Sequence, residues 1–418
     1  VSRPWTVPLR RNRTGGDDGR PPSGRGTSNP LQALRRRFHS GELGSVPVVL
    51  GLLVVWIIFE SLNPAFLSPR NLSSLSVDIV GIGMISTGVV FVLLLGEIDL
   101  SVGSVSGLAA AAFAVLNVNE GVPEIFAVLL AVLAGTAVGA VHGFFFAKVG
   151  VPAFVVTLAG LLGWNGLMLY LLGSSGTINL DDKGLVAMLT GFYFSHVAAA
   201  YGLAALGTAG YFLACYQDVR RRRAAGVPAR PLSEIILRTG VLAVISLASA
   251  YVLNQFQGLP LALLIFLVFL VGLDQVLVRT RYGRMLFALG GSVEAARRTG
   301  LNVDLVRISV FMVSGTMAAI GGLFLASRVT SATQTSGSGN LLMDAIAAAV
   351  IGGTSLFGGR GRTWSALLGV LVIQSIASGV ALLGVQTAVQ FMITGGVLLV
   401  AVTIDSLSRR AQRAHGRV

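Results

Sequence analysis

From residue 46 to residue 405 the chain is a succession of long apolar runs separated by short polar breaks. Twelve runs stand out, over 46–60, 74–95, 101–117, 124–147, 153–172, 195–216, 239–256, 260–278, 306–327, 341–357, 364–383 and 386–404. An α-helix rises 1.5 Å per residue, so about 20 apolar residues cross the ~30 Å hydrocarbon core of a bilayer. The pattern predicts an all-α polytopic membrane protein of about twelve transmembrane helices, with the lipid bilayer as its surroundings. Glycines punctuate the runs at Gly81, Gly83 and Gly88, and again at Gly135, Gly139 and Gly143 in two consecutive G-x-x-x-G steps. Small residues let helix backbones approach closely in lipid. The stretches Gly96–Gly103 and Gly352–Gly359 predict broken helices beside a path, because irregular backbone survives at membrane depth only against protein or water.

Composition agrees: 54% of residues are hydrophobic and 12% charged, too little polar surface to cover a soluble domain. The net charge of +13 raises the question of nucleic acid, and its placement answers it. With a cytosolic N-terminus, 28 of the 31 lysines and arginines fall inside, and only Arg70, Lys183 and Arg328 fall outside. This is the positive-inside rule, so the charge reports topology and no nucleic-acid partner is expected. Both termini are then cytosolic. Residues 1–45, rich in Arg, Gly, Pro and Ser, read as a disordered basic cytosolic tail. Residues 46–405 read as one transmembrane domain, and 406–418 as a second cytosolic tail. The single cysteine, Cys215, excludes an intrachain disulfide and reads as a small core residue. The external segments 61–73, 173–194 and 328–340 are too short to fold into a receptor domain.

The longest polar interruption is Arg279–Arg307, a cytosolic loop. Gly290-Gly291 loosens the start of a short helix, Ser292 caps it, Glu294 lies near its N-terminus and Gly300 stops it. Ala295 and Ala296 give it a slim face, and Arg297 and Arg298 offer charge to acidic groups of a partner. Such a helix suits a coupling element that docks a cytosolic subunit.

Four stretches together resemble the permease subunits of bacterial ABC importers for monosaccharides, the ribose, galactose and xylose group. They are Gly96–Ser104 (GEIDLSVGS), Val151–Leu158 (VPAFVVTL), the Glu294-Ala295-Ala296 loop ending at Gly300, and Met343–Gly359 (MDAIAAAVIGGTSLFGG). The resemblance covers about residues 46–405. An additional helix pair over 195–256, turning at Arg220–Arg223, is similar to the longer xylose-permease branch and favours a pentose. The resemblance implies a homodimer around a central path in the bacterial cytoplasmic membrane. It further implies an ABC ATPase subunit beneath, which binds ATP and Mg, and an extracytoplasmic sugar-binding protein above.

Acids at span ends (Asp78, Glu97, Asp99 and Asp344) need a cavity or a partner, since a carboxylate at mid-membrane costs roughly 2.5–3.5 kcal/mol. Simple topology sets Glu97 and Asp99 at the cytosolic end of the second span; if that helix is broken they sit deeper. Glu97, Asp99, Ser101 and Asp344 either border a sugar path or tie and cap broken helices. Neutral hydroxyls pair with amides and hydroxyls, which makes Asn165, Thr354, Ser355, Gln374 and Gln390 further candidates for the path. The alternative for each is an interhelical hydrogen bond.

No enzyme is expected here. Neither lysine, Lys148 or Lys183, lies in a P-loop, and His39, His142, His196 and His415 make no metal-ligand spacing. Cofactors are therefore expected in the partner alone. Two other readings stand beside the sugar importer: a related permease for nucleosides or another small polar solute, and an ion-coupled secondary transporter. A membrane-embedded enzyme or scaffold would need a clustered catalytic set.

Overall fold

The computed structural model describes residues 46–229 and 231–414, with side chains left undescribed at 404, 405 and beyond 406. The expected tail 1–45 lies outside the described residues. The helices are α1 (Val46–Leu62), α2 (Pro69–Leu94), α3 (Val102–Ala114), α4 (Glu124–Phe144) and α5 (Ala153–Leu172). They continue as α6 (Leu185–Gly191), α7 (Val197–Ala224), α8 (Leu232–Asn254), α9 (Leu261–Arg279), α10 (Arg281–Gly291) and α11 (Val293–Arg298). The last are α12 (Val303–Val329), α13 (Leu341–Ile351), α14 (Trp364–Leu382) and α15 (Thr387–Ala414). Both α3 and α4 run on into a wider π-helical turn, at Val115–Asn119 and Phe145–Val149. Among the described residues nine helices are long and apolar enough to cross a membrane, and three shorter apolar ones lie at 46–62, 341–351 and 387–403. Helix α15 runs straight through the boundary expected at 405.

The core is α2, 94% buried over its apolar window and held against α12, α14 and α13. Helix α12 packs in turn on α4, and the contacts there are backbone to backbone. A Cβ on Gly139 would collide with the Phe311 carbonyl oxygen, and one on Gly315 with that of Gly135. Gly143 meets Ile308, and across the bundle Gly81 faces Gly321 and Leu325. The G-x-x-x-G steps are thus a seam for α12. The additional pair α7–α8 forms a peripheral hairpin, closed on itself by Ala200, Ala204, Ala250 and Leu253.

Two short antiparallel ladders tie the connections. Strand β1 (Thr177–Asn179) pairs with β4 (Ser331–Thr333), Ile178 opposite Ala332, and β2 (Tyr193–Phe194) pairs with β3 (Leu259–Pro260). The first ladder starts a descent. Past β4 the chain runs without helix to Asn340, with Gly337 against Gly103 and Ser336 against Gly107 on the first turns of α3. Of residues 328–340, expected as an external loop, the stretch 331–340 therefore runs onto α3 within the bundle. The helix expected over 341–357 is only the 11-residue α13, about 16 Å long and half a bilayer.

The seam predicts its own weak point. Gly139→Val forces the α4–α12 backbones apart and costs about 1–3 kcal/mol or more, read as a lower unfolding temperature of the purified protein. Gly166→Val, with nothing within 4 Å, leaves that temperature unchanged.

Candidate functional site

The amphipathic hairpin α10–α11 begins at Thr280, whose Oγ1 accepts from the Gly283 N–H at 3.2 Å. Its buried side is Gly283, Leu286, Leu289 and Ala296. Tyr282 reaches the Ser309 hydroxyl on α12 at 3.0 Å, and burial pushes its phenol above the ordinary range, so it stays protonated. Ser292 caps α11, accepting from the Ala295 N–H at 3.3 Å, and Gly300 at φ +79° ends it.

Three expectations change here. Gly290 is not a loose start: it ends α10 in direct contact with the Leu94 carbonyl and the Gly359 N–H, while a Cβ on Gly291 would meet nothing within 4 Å. Ala296 packs into its own chain at 2% exposure, leaving Ala295 as the exposed alanine. Arg298 pairs with Glu294 at 2.7 Å, both side chains 78% exposed, a pair worth little to stability and open to exchange. Arg297 is exposed.

Beneath Gly290 three segments converge. Gly359 N–H donates to Leu94 O at 2.9 Å, and Gly358 lies on Gly96. The turn 352–363 between α13 and α14 is thereby clasped to the end of α2. Arg362 also grips Asp274 of α9 through two hydrogen bonds, 3.1 and 2.6 Å, and Thr363 donates to Leu270 O at 3.0 Å. Thr354 and Ser355 belong to this turn: both are buried, Ser355 N–H donating to Arg360 O at 2.9 Å. The stretch Gly352–Gly359, expected as a broken helix beside the path, is this clasp.

The break expected at Gly96–Gly103 is present, over 95–101. Glu97 stays near its start, half-buried. Asp99 sits deeper than the cytosolic end that simple topology gives it. Its Oδ2 accepts from Ser314 at 2.8 Å, and Ser314 lies 11 residues along α12, about 16 Å from its start. Its Oδ1 accepts from both the N–H and the hydroxyl of Ser101, at 3.0 and 2.6 Å.

Behind Ser101 stands His142, Nδ1 at 3.3 Å from Ser101 Oγ, with Nε2 2.9 Å from the Trp164 indole nitrogen. The indole only donates, so Nε2 accepts and the ring proton is on Nδ1. Every proton then has an acceptor: Trp164 to His142, His142 to Ser101, Ser101 and Ser314 to Asp99. Asp99, Ser101, His142 and Ser314 are each at most 3% exposed. Sequence reasoning missed His142, Trp164 and Ser314, and only the contact between helices relates them.

The remaining candidates do not converge on this point in one chain. Asp344 lies in the first turn of α13, half-buried. Gln374 is at the opposite end of the bundle, its Nε2 donating to Asp78 O at 3.0 Å, beside the Asp78–Arg328 pair at 2.8 Å. Asn165, next to Trp164, and Gln390 on α15 are half-buried. Among the described residues no group of three or more His, Cys, Asp or Glu is arranged to hold a metal.

The mid-bundle network is testable. Asp99→Ala strands buried hydroxyl donors and lowers stability by about 2–4 kcal/mol, at roughly 1–3 kcal/mol per unsatisfied group. His142→Ala costs less, and the double variant less than the sum, because both act through Ser101. Chemical denaturation of the parent protein and the three variants in a double-mutant cycle checks this; strict additivity contradicts it.

Comparisons with known proteins extend over nearly all of this framework. A family model described as branched-chain amino acid transport system / permease component matches residues 71–402. The chain is 33% identical over 365 residues to the xylose transport system permease protein XylH of Escherichia coli strain K12, covering 87% of this chain and 92% of that one. XylH of Haemophilus influenzae is 33% identical over 376 residues, covering 90% and 99%. The ribose import permease protein RbsC of Bacillus subtilis strain 168 is 32% identical over 376 residues, covering 90% and 97%. No solved structure matches. The resemblance carried by the four motifs and these full-length matches lead to one conclusion: the chain belongs to the branched-chain amino acid transport system permease family of multi-pass membrane proteins.

Proposed function

We propose that this chain is the translocating subunit of an ATP-driven importer for a neutral sugar, a pentose such as xylose foremost. The observation that carries the reading is the clasp of Gly290 on Leu94 and Gly359. A push on the exposed face of α11 (Glu294, Ala295, Arg297, Arg298) has no slack to be lost in. It reaches the end of α2, the break at 95–101 and the turn 352–363 together. Full-length relatives named for xylose and ribose support the solute class.

In this reading two copies enclose the path, with an ATPase binding ATP and Mg against α11 on the cytosolic side. The crowding of Lys and Arg at that end supports the orientation, both termini inside. An extracytoplasmic binding protein delivers sugar at the Arg328 end. ATP binding by the partner moves α11, and the interrupted helices α3 and α13 shift at mid-depth, where Asp99, Ser101 and Asp344 stand. Asn165 and Gln390 border the route in the assembly, and Thr354 and Ser355 act within the clasp. This chain supplies the route and the hinge and no chemistry of its own.

The test is sugar-stimulated ATP hydrolysis and uptake in proteoliposomes holding this chain, its ATPase and its binding protein. Xylose, ribose, galactose and a nucleoside are compared. One pentose stimulates both. Gly290→Ala drives a Cβ against the Leu94 carbonyl and opens the clasp; in complexes that still assemble, uptake per ATP hydrolysed drops at least tenfold, about 1.4 kcal/mol of lost coupling, while Gly291→Ala leaves it unchanged. Uptake driven by an ion gradient without the ATPase contradicts the proposal, and stimulation by the nucleoside alone reassigns the solute.

A further inference from the structure

At the Arg328 end an open cleft of about 460 Å³ lies between α2, α12 and α14, within the roughly 300–1,000 Å³ usual for small-molecule sites. Its polar edge is Asn71, Asp78, Arg328, Gln374 and Ser378, and Phe324 and its neighbours form an apolar wall. The internal bonds leave specific atoms over. Asp78 Oδ1 accepts from Arg328 Nε at 2.8 Å, and Gln374 Nε2 donates to the Asp78 carbonyl at 3.0 Å. Ser378 donates to Asn71 Oδ1 at 2.9 Å, and Asn71 Nδ2 donates to Phe66 O at 2.7 Å. Among the described residues Asp78 Oδ2, the two terminal Arg328 nitrogens and Gln374 Oε1 then have no protein partner. The Asp78 and Arg328 side chains are 37% and 41% exposed, so these atoms meet solvent.

This set selects a class of ligand. The two charges cancel, so a singly charged ion gains no net attraction here. A zwitterionic amino acid carries both its charged groups on one carbon, whereas a neutral polyol presents hydroxyls along its whole length to these separate free atoms. Its hydroxyls donate to Asp78 Oδ2 and Gln374 Oε1 and accept from Arg328, as charge-assisted bonds, while its C–H face covers the apolar wall. Half-exposed partners make the hold weak, which lets solute leave again.

We infer that this cleft is a low-affinity receiving site for a neutral sugar before it passes to the mid-bundle breaks. The inference rests on the sugar-importer reading and adds to it the residues that first take the solute.

The test places a cysteine at Ala381, an exposed residue lining the cleft, in a Cys215→Ala background of the full chain in lipid nanodiscs. Its rate of alkylation by iodoacetamide is measured with D-xylose, D-ribose or L-leucine. For a site with a dissociation constant of about 25 mM, about 50 mM sugar slows alkylation about threefold. Leucine has no effect, and a cysteine at Lys183 is not protected. Asp78→Asn with Gln374→Ala abolishes the protection without changing the rate in the absence of sugar. Unprotected alkylation, or protection by leucine alone, overturns the assignment. Should the assembled transporter import pentose while Ala381→Cys stays unprotected, the cleft is wrong and the importer reading stands. Protection without pentose import in the assembly leaves the cleft standing and removes the importer.

Discussion

A backbone amide or carbonyl without a partner in hydrocarbon costs several kcal/mol, and this chain leaves its helices twice at mid-depth. The rest of the structure is arranged around those interruptions. At 95–101 the carboxylate of Asp99 collects the Ser101 N–H, the Ser101 hydroxyl and the Ser314 hydroxyl, fixing the entry to α3. At 331–340 the chain is pinned first by pairing with β1. It is then pressed onto α3 at Gly103 and Gly107, positions where a side chain would collide with Gly337 and Ser336. The second interruption thus lies on the helix that the first one leads into. The glycine seams of α4 and α2 on α12 serve the same end, bringing helix backbones close enough to exclude lipid from the breaks.

The same constraint makes the bundle responsive at a distance. Leu94, whose carbonyl is taken by Gly359 N–H, ends α2, and the 95–101 break starts directly after it. Gly290 of the α10–α11 hairpin lies on that same carbonyl. Displacing the hairpin therefore acts on one edge of a break whose other edge is held by Asp99. Where contact is made through backbone atoms, neighbouring side chains cannot absorb the motion by changing rotamer.

Much of this was legible in the chain. Hydropathy located the apolar runs, the triplet Gly135, Gly139, Gly143 announced a close seam, and Gly96–Gly103 announced an interruption. Ser292 and Gly300 marked the two ends of α11. The second interruption was hidden because Ser331–Asn340, built of Ser, Thr, Gly, Gln, Asn and one Ala, has the composition of any surface loop; what carries it inward is the surface of α3, which no local pattern encodes. Asp274 and Arg362 are 88 residues apart, and His142, Trp164 and Ser101 come from three different segments. Ala296 shows the limit from the other side: a small residue beside charges looked like a docking surface, and the amphipathic phase of the hairpin turned it inward.

If the clasp is the route of coupling, α11, the end of α2 and the turn 352–363 move as one body. Pulsed electron–electron resonance on the assembled transporter in liposomes tests it, with spin labels at Ala295 and Phe357 in a Cys215→Ala background and a second pair at Phe357 and Lys183. On adding a non-hydrolysable ATP analogue, the Ala295–Phe357 distance stays fixed while the Phe357–Lys183 distance changes. A shift between Ala295 and Phe357 with Phe357–Lys183 unchanged would mean that the hairpin slides over the bundle, and the clasp would not be the route of coupling.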